Sequence, residues 1–286
     1  MNVEAVRNWR FEPHEIVLTP ERAMLYALSI GRGRDPLDQG DLPFVYEKAL
    51  KVMPTWAIAL GLKGFWAQDP ATGLDWVRMV LAEQGAVFHR PFPAEGRLIS
   101  HSRIDEVVDK GAAVGALIFM ETELREAESE DLYVTLSRTI MCRGDGGFGG
   151  PPGRTRTAYP TADQPPDAVC DLPTAPGQAL LYRLNGDFNP LHADPEMASA
   201  AGFDRPILHG LCTLAVSAHA LLKTECGYDP ARLRSLRARF SSPVFPGETI
   251  RTEIWREDSS VRFSAIVLER GATVLNGGFS EISPSI

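Results

Sequence analysis

Tyr182-Arg183-Leu184-Asn185-Gly186-Asp187-Phe188-Asn189-Pro190-Leu191-His192 decides the fold because its opening occurs twice, the first time as Tyr26-Ala27-Leu28-Ser29. Two further pairs follow in the same order. Pro54 leads into Thr55-Trp56-Ala57 as Pro206 leads into Ile207-Leu208-His209, and Phe92-Pro93-Ala94-Glu95 matches Phe245-Pro246-Gly247-Glu248. The spacings differ by only a few residues, which marks a duplicated unit. Each copy reads as a helix, a long apolar helix and then several antiparallel strands. A curved sheet wrapped around one buried helix is the economical cover for such a helix, so the class expected is α+β.

Local signals place the elements. Thr19 and Pro20 read as the cap and first position of a helix ending near Gly31, residues 31–45 as a loop, and Pro54 to Gly61 as a short apolar helix. Strands are expected at 76–84, 97–105, 113–124 and 132–142 in the first half, and at 233–240, 249–256, 261–269 and 273–282 in the second. Between the halves, residues 144–176 are rich in Gly and Pro. Gly144-x-Gly146-x-x-Gly149 has the spacing of a dinucleotide loop, but Pro151 and Pro152 stand where a helix should begin, so nicotinamide and flavin are rejected.

The chemistry concentrates in the second copy. On one ideal helix Asp187 and His192 would diverge, but Pro190 biases Asn189 out of the helical region and lets the chain turn until they converge. Asp194 and Pro195 then open a short helix. Beyond it, Gly210 begins an apolar helix through Leu211, Leu214, Ala215, Ala218, Leu221 and Leu222, which Gly227 ends. The first amides of that helix lack intrahelical partners and suit a developing oxyanion. An acid, an imidazole and an oxyanion donor are what proton chemistry beside a carbonyl requires. In the first copy Gly31 stands in place of Asp187 and Pro36 in place of His192, so the pair belongs to the second half alone. His209 reads as a buttress of the helix start and His219 as a core histidine.

Composition removes other classes. With 286 residues, 44% apolar and 23% charged, the chain can bury a core, and no apolar run approaches a membrane span. A net charge of -8 argues against a nucleic-acid surface. Cys142, Cys170, Cys212 and Cys226 show neither a Cys-x-x-Cys pair nor a zinc spacing and read as buried free thiols. Asp187 and His192 find no third and fourth ligand at useful spacing, so no metal is expected. No secretory signal and no Ser-Lys-Leu address is read, and a cytoplasmic location is expected. A serine hydrolase lacks its Gly-x-Ser-x-Gly.

Residues 182–195, with Pro206 to Thr213, Arg239 to Glu248, Tyr26 to Gly31 and Gly146 to Gly150, resemble the R-specific type 2 enoyl-CoA hydratases, double hotdog members of the MaoC-like dehydratases. The resemblance spans nearly the whole chain. It implies a tandem hotdog fold: an N-terminal domain over 1–150, catalytically degenerate and widening the ligand site, a linker over 151–176 and a catalytic domain over 177–286. It implies hydration of a trans-2-enoyl-CoA to a (3R)-3-hydroxyacyl-CoA by a homodimer with no cofactor. Asp187 and His192 would hold the water, one taking its proton as the other supplies a proton to the α-carbon, with Asn189 orienting the water and the Gly210 amide binding the thioester oxygen. Lys110, Phe240, Gly186 and Leu191 would contact the acyl-CoA, Lys110 through a phosphate. Where the family has Leu-His-Gly-Glu-Gln, this chain has Val80-Leu81-Ala82-Glu83-Gln84, which puts Leu81 and Ala82 in the ligand wall. A thioesterase on the same fold and a non-catalytic acyl-CoA-binding protein are the competing readings.

Overall fold

The computed structural model describes residues 1–61, 64–151, 153 and 164–284. The first half carries helices α1 (Val3–Arg7), α2 (Pro20–Ser29), α3 (Leu42–Val45) and α4 (Trp56–Leu60). Its strands are β1 (His14–Leu18), β2 (Met79–Phe88), β3 (Gly96–Asp109), β4 (Ala116–Glu126) and β5 (Leu132–Cys142). The second half opens with β6 (Ala168–Pro173), followed by α5 (Gln178–Tyr182), α6 (Pro195–Ala200) and α7 (Gly210–Thr224). Strands β7 (Ser235–Phe240), β8 (Thr249–Glu257), β9 (Ser260–Val267) and β10 (Ala272–Glu281) complete it.

All ten strands form one antiparallel sheet in the order β1-β3-β4-β5-β2-β7-β10-β9-β8-β6. The order reads alike from both ends once each first-half strand is matched to its second-half counterpart, β1 to β6 and so on to β5 and β10. The duplication seen in the residues is therefore a pseudo-two-fold whose axis passes between β2 and β7, where Glu83 pairs with Arg239 and Ala86 with Leu236. Matched residues meet near that axis. The Tyr26 and Tyr182 rings lie 6.1 Å apart, and Asn185 Nδ2 donates to Ser29 Oγ at 3.0 Å.

The helices depart from equality. In α7 every residue from Cys212 to Leu222 is buried, and each buried leucine contributes about 2 kcal/mol by leaving water. Its counterpart α4 has five residues, so the expectation of a long apolar helix in each half holds only for the second. Residues 31–45, expected as loop throughout, end in α3 and dock on α7 of the second half through an ion cluster: Arg32 bonds Asp41 at 2.7 Å, and His219 of α7 faces the same carboxylate at 3.0 Å. Burial raises Asp41, yet His219 and Arg32 outweigh it and hold the carboxyl at about 2.

Two strands were not read from the sequence, β1 and β6. Strand β6 lies inside the stretch expected as a linker over 151–176, while residues 152 and 154–163 of that stretch lie outside the described residues. The glycine-rich part has its own anion. Asp109 accepts the amides of Gly111 at 2.7 Å and Gly147 at 2.8 Å, and these backbone bonds hold its carboxyl below the usual range. The four cysteines are free and buried, and burial pushes the Cys142, Cys212 and Cys226 thiols up to about 12.

Candidate active site

Helix α5 runs into one tight turn, Arg183–Asn185, and Gly186 breaks it at φ +114, a backbone region that a side chain would strain. The chain then reverses. Asp187 Oδ1 accepts the Asn189 amide at 3.2 Å, and Asn189 Oδ1 accepts the Leu191 amide at 3.1 Å, leading into a second tight turn, Pro190–His192. Both side chains thus serve the turn as Asx residues do. Asn189 has one lone pair of its oxygen engaged in the turn and offers its Nδ2 donors outward. Asp187 is exposed and keeps one carboxylate oxygen free of the turn.

His192 is buried, 8% exposed, and its Nδ1 lies 2.9 Å from the Ile207 carbonyl oxygen. A carbonyl can only accept, so the proton sits on Nδ1 and the Nε2 lone pair faces away from that bond. Burial lowers the His192 pKa against the opposing pull of Ile207 and Asp187, which leaves a neutral imidazole at neutral pH. The converging geometry expected of Pro190 is present: donor atoms of Asp187, His192 and His209 lie within 4.8 Å of one another.

His209 supplies a feature that spacing did not. Its ring stacks on His192 with centroids 3.7 Å apart at 25°, leans on Tyr182 at 4.9 Å, and its Nε2 donates to the Asp187 carbonyl at 3.2 Å. It therefore pins the backbone of the acid rather than buttressing the helix start as expected, where its side chain makes no cap bond. The expectation that no third ligand accompanies Asp187 and His192 is corrected, since His209 comes within reach. Yet nearly parallel rings send their in-plane lone pairs side by side, and His192 Nδ1 and His209 Nε2 face carbonyls. That arrangement does not fit the convergent donors of a tetrahedral metal site.

Burial, then His192, lowers the His209 pKa to about 4, and burial also lowers His219. The unfolded chain takes up these protons near 6.5. A depressed imidazole contributes stability that is complete above that value and is lost as pH falls toward 4. The Tm should therefore fall by ~5 °C or more between pH 6.5 and 4, and His209→Gln should flatten the slope. Scanning calorimetry across that window checks it; a flat Tm in the native chain would contradict the assignment.

Helix α7 begins at Gly210, exposed between buried His209 and buried Cys212, with no side-chain cap on its first amides. A Cβ on Gly210 would stand 3.2 Å from Cδ1 and Cε1 of Phe240, so the Phe240 ring already covers one side of that amide. Asp187, Asn189, His192, Gly186, Leu191, Gly210 and Phe240 thus gather at the start of α7. Leu81 and Ala82 lie at the same end of the β2–β7 joint, where a bulge between Leu81 and Glu83 leaves Ala82 out of the ladder. Lys110 is not brought there. It stands exposed on the β3–β4 turn, with β4, β5 and β2 between β3 and β7.

Comparison with known proteins places this geometry. Residues 17–144 match the MFE-2 hydratase 2 N-terminal domain and residues 157–277 the MaoC like domain. The chain is 39% identical over 269 residues to a protein of Arabidopsis thaliana named enoyl-CoA hydratase 2, peroxisomal, covering 88% of this chain and 86% of that one. A MaoC-like dehydratase structure from Phytophthora capsici superposes with a TM-score of 0.88 at 33% identity, covering 100% of both chains. A conserved hypothetical protein of Mycobacterium tuberculosis, described as a double hotdog fold, superposes at 0.59 over 96% of both chains with 15% identity, a likeness of fold alone. With its sheet, its two unequal helices and the motif at the start of α7, the chain is a double hotdog protein and belongs to the MaoC-like dehydratase family, with a hydratase 2 N-terminal domain ahead of its MaoC-like domain.

Proposed function

We propose that the protein adds water to a trans-2-enoyl-CoA to give a (3R)-3-hydroxyacyl-CoA, and runs the reverse dehydration, in fatty acyl-CoA metabolism. The observation that carries this reading is the pinned tautomer of His192. With Nδ1 on Ile207, its Nε2 lone pair and the free Asp187 oxygen are two acceptors for one water, beside the open amide of Gly210. The water gives its hydroxyl to the β-carbon, and its proton passes through the Asp187–His192 pair to the α-carbon, so both groups end as they began. Asn189 Nδ2 orients the water. The Gly210 amide meets the thioester oxygen as enolate charge develops. Relatives named for enoyl-CoA hydration over most of this chain support the reaction class.

Incubation with crotonyl-CoA and chiral analysis of the product tests it. Hydration to the R-hydroxyacyl thioester is the expected result; release of free CoA would indicate thioester hydrolysis instead.

The division of labour proposed is a catalytic second half that opens at β6 and a first half over 1–150 that accommodates substrate. Leu81, Ala82, Phe240, Gly186 and Leu191 would line the ligand path, and Lys110 would reach it only through the distal phosphates of CoA. At Leu81 and Ala82, a side chain and a methyl replace the imidazole and glycine of the resembling proteins, and one methylene of fit is worth ~1–3 kcal/mol of discrimination. Leu81→His with Ala82→Gly should shift the ratio of kcat/KM between short and long enoyl-CoA by roughly tenfold, the product remaining R. A chain-length series checks this; an unchanged ratio would remove both residues from the acyl path.

No described helix is long and apolar enough to cross a membrane. A homodimer and a cytoplasmic site of action complete the proposal, supported by exposed apolar Leu180, Leu184 and Phe188 and by the four unpaired thiols. Sedimentation tests the first. Fractionation against peroxisomal markers tests the second, since the plant relative carries a peroxisomal name.

A further inference from the structure

On β5, Val134 and Leu136 belong to the apolar cluster that contains α7, while Ile140 and Cys142 belong to a second cluster that contains Val6 of α1. Alternation puts Arg138 on the same face, between the two. A cation therefore interrupts the inner face of the sheet. Arg138 pairs in register with Gln84 of β2, and Gln84 with Ala238 of β7, so the three form one row across the joint between the halves. Two residues beyond Ala238 is Phe240, whose ring lies against Gly210. By strand spacing alone the Cα atoms of Arg138 and Phe240 stand about 12 Å apart. Ile58, whose carbonyl Arg138 holds, stands where Gly210 does when each half is counted from its proline, Pro54 or Pro206. Arg138 thus marks the counterpart of the reaction end in the half that lacks the acid-base pair.

The guanidinium is fixed. Its Nε donates to Gln84 Oε1 at 2.9 Å and its Nη2 to the Ile58 carbonyl at 3.1 Å, while Gln84 Nε2 donates in turn to Gly85 O at 2.8 Å and Ser137 O at 3.1 Å. These bonds use Nε and one proton of Nη2, which leaves both protons of Nη1 and one of Nη2. Arg138 keeps accessible surface, and none of its nitrogens is among the sealed polar atoms without a partner, so the remaining donors open on a space between the clusters.

Another deep arginine is treated differently. Arg32, 1% exposed, is matched by its own carboxylate, Asp41 at 2.7 Å. Arg138 has no carboxylate partner among the described residues, and both of its acceptors are neutral. Burial pulls its guanidinium below its ordinary value, and neutral acceptors return only part of that cost. A carboxylate is the group whose two oxygens match neighbouring guanidinium donors, and here it must come from the ligand.

We propose that Arg138 is a specificity-determining residue that receives a carboxylate carried by the acyl chain, so that the preferred substrates are 2-enoyl-CoA esters bearing a second carboxyl group beyond the double bond. The proposal rests on the reading of the protein as an enoyl-CoA hydratase with its thioester at Gly210, and names the substrate class of that site. Between thioester and carboxylate the chain would follow the row from Phe240 past Ala238.

The test pairs two ligand forms at each chain length, one ending in a methyl group and one in a carboxylate. Saturated CoA esters, which cannot be hydrated, are titrated into the full chain by calorimetry, and the matching 2-enoyl esters are assayed for hydration. At the length that reaches Arg138 the native chain should bind the carboxylate form about tenfold or more tighter than the methyl form. The matching preference in kcat/KM should sit in KM. Arg138→Met should reverse the order, and Arg138→Lys should retain part of it. No carboxylate preference at any length in the native chain overturns the proposal, as does a preference that Arg138→Met leaves intact. A merely structural role would weaken both forms alike and leave their ratio unmoved. If Arg138→Met does not fold, Arg138→Gln removes the charge while keeping a donor for Ile58. Binding of the saturated esters needs no reaction, so a chain that prefers the carboxylate form yet hydrates neither enoyl ester counts against the hydratase reading alone. One that hydrates both without preference counts against Arg138 alone.

Discussion

Asp187→Asn and His192→Gln each lower kcat for enoyl-CoA hydration by ~10² or more with little change in Tm. The amide in Asp187→Asn keeps an oxygen for the Asn189 amide, so the turn survives while the anionic acceptor is lost. In His192→Gln the side chain retains a donor that can reach toward Ile207, but no basic lone pair stands opposite Asp187. Because both residues act on one water, the double variant should lose little more than either single one. Steady-state kinetics with thermal denaturation on all three proteins checks this. Near-native turnover in either single variant would refute the roles, and a collapse of Tm would show that the Asx turn, not the chemistry, is what these side chains maintain.

Much of this site was legible because its signals are local. The Pro190 turn, the Asp194 cap on α6, which accepts the Glu196 amide at 2.8 Å, and the apolar spacing of α7 each depend on residues a few positions apart. The repeated Tyr, Pro and Phe-Pro segments carried the architecture, since a duplicated sheet folds about a pseudo-two-fold. Strands β1 and β6 escaped for a physical reason. Both are edge strands of five and six residues, half-exposed, and β6 ends in Pro173 where no ladder bond is needed, so neither has the apolar run of a central strand. The shortness of α4, by contrast, was legible locally. Its residues are as apolar as those of α7, but Gly61 follows the run at once, whereas no glycine interrupts the chain from Leu211 to Cys226.

Arg138 was the core-facing residue least visible beforehand. An arginine two residues after Leu136 and four after Val134 breaks the inward apolar alternation of β5, and that break is the signal: a charge on a core-facing position is rare without a partner. What no local reading supplies is where that position lies, which required the sheet order through β2 to β7. The stacking of His192 on His209 was hidden in the same way, because the two rings come from segments joined only by the fold.

Gly210→Ala should leave Tm unchanged or raise it, yet lower kcat/KM by ~10². In the first turn of α7 alanine is the better helix former, and the backbone there has an ordinary helical conformation, so the folded chain gains rather than loses from the methyl. The cost falls on the amide. The added Cβ stands 3.2 Å from two carbons of Phe240, close enough that the ring must give way by a few tenths of an ångström toward the ligand space. Losing one oxyanion donor is worth 10² to 10³ in rate, and a thioester kept away from the Gly210 amide loses the same interaction without any donor being deleted. Phe240→Leu in the Gly210→Ala background separates the two causes. If displacement of the ring is what matters, the smaller side chain restores part of the rate; if the methyl itself blocks the thioester, the double variant stays as slow as Gly210→Ala. Unchanged kinetics in Gly210→Ala would mean that the thioester oxygen does not sit at the start of α7, and would move the oxyanion site elsewhere on the fold.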